Sequence, residues 1–170
     1  MSIKGGDLIA AISGGVFEIT DVTAADYMGT SPAVLIASLL VQVGNLMSLP
    51  SSKEEWPMYV AHLPDLKANS GVIYDTAGLL DGRLMKTGEV IEHYGLEIHI
   101  RSNKYDTGFS KINELANALD LVHNITVDVD SDLGFQIVSV NKMTPATYAG
   151  LDEERRFNFT TNYCASIIEV

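Results

Sequence analysis

The chain has 170 residues, 46% of them apolar, and a formal net charge of −11, so it has the length and apolar content for one domain with a real core. That acidity disfavours tight nonspecific binding to nucleic acid, which needs Lys and Arg to replace counterions on phosphate, and equally disfavours an anionic membrane surface. The single cysteine, Cys164, allows no internal disulfide and fits a reducing compartment or an assembly held without covalent staples.

Residues 1–29 read as an arm rather than as core sequence. Gly5-Gly6 and Gly14-Gly15 break it, and a weak strand is predicted near Val16 to Thr20. Lys4 followed by DLIAAISGGVF is a poor secretory signal, because Asp7 interrupts the apolar stretch. Residues 30–170 read as a single domain. Ser31-Pro32 is a good helix start, with Ser31 as cap and Pro32 at the first helical position. The helix is predicted to run to about Met47 and to stop at Leu49-Pro50. Val34, Leu35, Ile36, Leu39, Leu40, Val41, Val43 and Leu46 make it apolar on nearly every face, so it is expected to be covered on several sides. Its most apolar run, Ala33 to Val41, is far short of the roughly 20 residues that cross a bilayer, so a soluble protein with no membrane partner is expected.

WPMYVAHL (Trp56 to Leu63) is strand-like, with Pro57 near its start, where proline is tolerated. VIYDTAGLL reads as a short strand, and the stretch from Asp75 to Gly88 reads as a long loop whose tip carries Arg83 and Lys86. Val90 to Arg101 is the clearest strand. Tyr94, Leu96, Ile98 and Ile100 point one way, while His93, Glu97, His99 and Arg101 point the other. A second helix starts at Tyr105-Asp106-Thr107, with Phe109, Ile112, Leu115, Ala116, Leu119 and Val122 on one stripe, and is expected to close at His123-Asn124. ITVDVD (Ile125 to Asp130) and FQIVSVNKM (Phe135 to Met143) are strands around a turn, Pro145 to Gly150 is a loop, and a last strand follows. Runs of strands with helices between them, without regular βαβ alternation, predict an α+β fold: a mostly antiparallel sheet packed against two main helices, with the N-terminal arm.

Candidate chemistry is sparse. His93, Glu97 and His99 share a strand face, and strand neighbours two apart can share a metal, but a solvated or interface face accounts for them more simply. Cys164 lies inside an apolar strand pattern and reads as a structural thiol. VDVDSD (Val127 to Asp132) lacks the order, central glycine and closing glutamate of a calcium loop. There is no dinucleotide fingerprint, phosphate loop or nucleophile elbow. No catalytic residue, cofactor or metal is therefore assigned, and the expectation is that the chain is not an enzyme.

The stretch DEERRFNFTTNYCASI carries the most information. Arg155, Phe157, Phe159, Thr161, Tyr163, Ala165 and Ile167 fall on one strand face, which is expected to meet the helices; Arg156, Asn158, Thr160, Asn162, Cys164, Ser166 and Ile168 fall on the other. Asp152, Glu153, Glu154, Arg155 and Arg156 hold both signs within a few residues. They read either as a solvated turn or as an intersubunit latch whose opposite charges set register between copies.

HYGLEIHIRSNKYDTGFSKINELANAL, a strand leading directly into a helix, followed by a strand with VSV and then by GLDEERRFNFTTNY, resembles the tail-terminator and minor capsid (tail-completion) proteins of long-tailed bacteriophages. Asp152, Arg156, Phe159, Asn162 and Tyr163 match a late D-x-x-x-R-x-x-F-x-x-N-F/Y strand of that group. The resemblance covers about residues 30–170; residues 1–29 depart from the group's usual start at the first helix. It implies a virion subunit, made in the host cytoplasm, that assembles with copies of itself into a hexameric ring. Such a ring caps the tail tube and meets the head-tail connector, with DNA only as passing cargo. On this reading the contact residues are Glu97, His99 and Arg101 on the strand, Asp152 to Arg156 in the latch, and Arg83 and Lys86 at the loop tip. Two alternatives stand beside it: a tail-tube or head-completion protein, and a small intracellular ligand-binding domain or enzyme with a pocket between sheet and helix.

Overall fold

The computed structural model describes residues 16–18, 31–43, 46–51, 55–65, 68–80, 92–130 and 133–169. Its elements are β1 (Val16–Glu18), α1 (Pro32–Ser38), β2 (Met58–Val60), β3 (Ser70–Leu80), β4 (Glu92–Ser102), α2 (Tyr105–Leu119), β5 (His123–Asp130), β6 (Leu133–Lys142), β7 (Thr147–Leu151) and β8 (Phe157–Glu169). They form one α+β unit. The sheet runs β1-β5-β6-β8-β4-β3-β2, with β7 also on β8. It is mixed: its interior ladders are antiparallel, but both outermost pairs, β1 with β5 and β2 with β3, are parallel.

β8 is the seam of this sheet. One of its edges pairs with β4 from Glu92↔Ile167 to Ser102↔Phe157. The other is shared by β6, opposite Tyr163 to Glu169, and β7, opposite Phe157 to Thr160. Alternation sorts its residues as the sequence predicts: Phe159, Thr161, Tyr163, Ala165 and Ile167 are buried in the core, level with Leu96, Ile98 and Ile100 of β4. Ile112, Leu115, Ala116 and Leu119 of α2 join the same core. Gly108 lets α2 approach closely, because a Cβ there would stand 2.5 Å from the Phe159 ring and 2.9 Å from Ser102 Cβ.

α1 starts where expected, with Ser31 Oγ accepting the Val34 N–H at 3.4 Å, and the Ala33 N–H donating to Asp75 Oδ1 at 2.9 Å. Ala33 through Leu40 are all buried, as an all-round apolar helix requires. The α geometry ends early, however: Leu39–Val43 form a wider π turn instead of continuing to Met47. Val41 and Val43 are β-branched and Gly44 follows, so the local preference for a tight helix is weak there.

Other departures have similar local causes. Trp56 and Ala61 adopt left-handed backbone (φ 63° and 61°) and bracket β2, which is why that strand is only three residues long. β3 is long rather than short and absorbs Asp75 to Leu80 from the expected loop. Arg83 and Lys86 lie outside the described residues. α2 ends at Leu119, and His123-Asn124 open β5 instead of closing the helix. The expected loop from Pro145 to Gly150 contains β7, and Arg155 (φ 61°) belongs to the turn before β8, not to its apolar face.

Candidate interaction surface

The face of the sheet turned away from α1 and α2 carries the polar half of β4 and β8. His99 Nε2 lies 2.9 Å from Glu97 Oε1, and the same oxygen accepts the Thr160 hydroxyl at 2.9 Å. The His99 ring meets Tyr74 edge-on at 5.4 Å. Burial, reinforced by the Glu97 charge and only partly offset by Arg101, raises the Tyr74 phenol above its ordinary pKa. Farther along, Ser166 Oγ is 2.7 Å from His93 Nδ1. His93 and His99 are separated by roughly 20 Å of extended strand, too far to share a metal. Among the described residues no group of three or more His, Cys, Asp or Glu side chains is placed to hold a metal ion. Glu97 and His99 are thus half-buried members of an internally bonded polar grid, and Cys164 is half-buried on the same face.

Arg101 behaves differently. It is only 4% exposed, and Arg156 only 6%. The two guanidinium groups converge on the loop before β3. Arg101 Nη2 donates to the Pro64 carbonyl and Nη1 lies 3.6 Å from Asp65 Oδ1. Arg156 Nη1 donates to the Asp65 carbonyl at 2.8 Å, and its Nη2 lies 3.5 Å from Asp65 Oδ1. Burial, and then the neighbouring Arg156 charge, lower the Arg101 pKa; Asp152, Asp65 and Glu154 oppose that shift.

The turn that presents Arg156 is built around Asp152. The Asp152 carboxylate accepts the backbone N–H of Glu154 at 3.0 Å and of Arg156 at 2.8 Å, and its other oxygen accepts Arg156 Nε at 2.6 Å. Glu154 adds a 2.9 Å ion pair to Arg156 Nη1. For the Asp152 carboxyl, burial pushes its pKa upward, but the Arg156 backbone and side-chain hydrogen bonds, the Arg156 charge and the Glu154 N–H outweigh it, so the pKa lies below the ordinary value. Of the charged knot, then, Asp152, Glu154 and Arg156 direct their bonds inward, whereas Glu153 and Arg155 face solvent.

Next to that turn lies an aromatic cluster at one end of the sheet. Tyr105 stacks on Phe109 (6.0 Å between centroids) and meets Tyr148, Phe157 and Phe159 edge-on at 5.6, 5.7 and 5.2 Å. Phe159 is fully buried, but Tyr105, Phe109 and Tyr148 are 42%, 39% and 42% exposed, and Leu151 on β7 is 53% exposed. Phe109, which the helical stripe assigns to the core, instead belongs to this open cluster. On the outer face of α2, Trp56, Asp106, Thr107, Ser110, Lys111 and Glu114 line an open depression of about 460 Å³. Lys111 Nζ stands over the Trp56 ring at 5.7 Å and pairs with Glu114 at 3.0 Å.

Sequence reasoning missed Asp65, the acceptor shared by both buried arginines, and Tyr148, which lies on the missed strand β7. Gly108 was legible in principle, since a glycine inside a helix costs about 1 kcal/mol relative to alanine and asks for a packing reason.

No helix among the described residues is long and apolar enough to cross a membrane. No protein-family model matches the chain, and no curated protein does. Among solved structures, a chain from the virion of a native gene transfer agent particle is similar at 14% identity with a TM-score of 0.43, over 66% of this chain and 78% of that one.

Proposed function

We propose that this chain is a structural subunit of a phage-like virion, working by docking rather than by catalysis. On this reading its copies form the ring that caps a tail tube and meets the head connector. The observation that carries the reading is the placement of the five residues on which the resemblance to tail-terminator proteins rests. Asp152 and Arg156 close the turn into β8, Phe159 and Tyr163 fill the core from it, and Asn162 holds the entry to β7 through its bonds with Thr144. Each has an architectural job, so the shared pattern acts as a signature of a strand and its turn, which supports kinship in fold and assembly. The acidic balance suits a lumen along which DNA slides without sticking. Glu97 and His99 on the face turned away from α1 and α2, with Glu153 and Arg155 on the turn, are the contact residues that this reading retains.

The test is the mass of the purified chain across a concentration series, by light scattering after size exclusion, with negative-stain images of the largest species. Closed rings of about six copies are expected, as a head-to-tail contact repeated about an axis produces. Long tubes would move the chain to the tail tube, and a monomer at every concentration would remove the self-assembly reading.

A further inference from the structure

We infer that the aromatic end of the sheet, with Arg155 at its rim, is the surface through which one copy of this chain grips a second. The inference rests on the self-assembly reading above and adds the location of the contact. α2 contacts β8, β4 and β6, and the helix-side face of β7 is left carrying Tyr148 and Leu151 in the open beside Tyr105 and Phe109. The other exposed large apolar side chains among the described residues, Leu121 and Met143, lie outside this aromatic cluster. Rings of this kind, rigid and half-exposed, are what interface centres are made of, and arginine is the cation that accompanies them.

The charge pattern identifies the occupant. Arg101, Lys111, Lys142 and Arg156 all sit in intrachain ion pairs. Lys104 and Arg155 are exposed and have no side-chain partner among the described residues. Both belong to the aromatic end, because Ser102, two residues before Lys104, is paired with Phe157, two residues after Arg155. Among the described residues, the cations without an ion pair are therefore gathered at the exposed aromatic patch. Asp106 and Glu153 are exposed in the same two turns, so the rim carries both signs, as a contact that fixes register does. A second copy, with a net charge of −11, supplies carboxylates in excess for the two cations.

Arg155 is held in place at a conformational cost. Its φ of 61° is left-handed, a region that a side chain enters only when its surroundings impose it. The imposing surroundings are the Asp152 bonds and the buried Arg156 on either side. The turn thus fixes where the Arg155 side chain leaves the backbone, at a site where it has no bonding partner among the described residues.

The test compares self-association of the full chain with that of Arg155→Gly and Leu151→Glu, by sedimentation across a concentration series, with a thermal melt of each. Glycine accepts the left-handed backbone, so Arg155→Gly is expected to melt no lower than the native chain and to associate at least about tenfold more weakly, as loss of an interface anchor does. Leu151→Glu, which places a carboxylate on the patch, is expected to weaken association as much. Native-strength assembly by both variants would overturn the assignment of this surface while leaving self-assembly intact. A native chain that remains monomeric would overturn both.

Discussion

Arg155 and Arg156 are consecutive residues with the same charge, and the fold sends them to opposite environments. Arg156 is buried and bonded to Asp152, Glu154 and Asp65. Arg155 is exposed and left-handed, and its side chain has no bonding partner among the described residues. The difference lies in where the turn points each side chain, not in what the side chains are. Asp152 takes the Arg156 N–H and Nε together, which aims that guanidinium at the loop before β3 and leaves the preceding residue to close the turn from the left-handed region. A cluster of charges is therefore not one object: one arginine holds the protomer together, and its neighbour is free to meet something else.

Three measurements test that contrast. The largest expected effect is Arg156→Ala, a loss of about 3 kcal/mol in a denaturant melt, toward the lower end for a broken buried pair because Asp65 is exposed and can be rehydrated. A cost below about 1 kcal/mol, the range of a surface pair, would erase the contrast. The second is acid stability. The folded Asp152 pKa is depressed, so the unfolded chain binds more protons in the window between the two values. The contribution of Asp152 is thus complete above the ordinary carboxyl pKa near 4 and is lost as pH falls through the folded value. Asp152→Asn should flatten the stability profile in that acid window and leave its slope at neutral pH unchanged. The smallest effect is Arg155→Gly, which relieves the left-handed strain and is expected to raise stability by up to about 1 kcal/mol. A loss of stability there would mean that Arg155 also serves the protomer.

Much of the fold was legible because it is written locally. The alternation in β4 and β8, the Ser31 cap of α1 and the start of α2 at Tyr105 all depend on residues within a turn or a strand of one another. The parallel edges were not legible, since nothing in three residues such as Met58–Val60 states the direction of a partner strand. β7 is not legible as a strand because TYAGL lacks the apolar alternation of a core strand, as suits its mostly exposed place at the sheet's margin. The candidate surface was half legible. The charged knot was visible as a cluster, but Arg156 reaches Asp65 across 91 residues, and no local pattern records that contact. The exposure of Phe109 was hidden for the same reason: the helical stripe that predicts burial is correct, but the cover over that part of it is incomplete.

β8 joins the group β1-β5-β6 to the group β4-β3-β2 and follows all of them along the chain. During synthesis neither group can close against the other until this strand has left the ribosome. The ladder that then forms joins segments 55 to 75 positions apart, from Ser102↔Phe157 to Glu92↔Ile167. Such non-local pairing is slow, and until it is complete both half-sheets present open edges to each other's copies. β8 is therefore the element whose arrival turns two incomplete half-sheets into one.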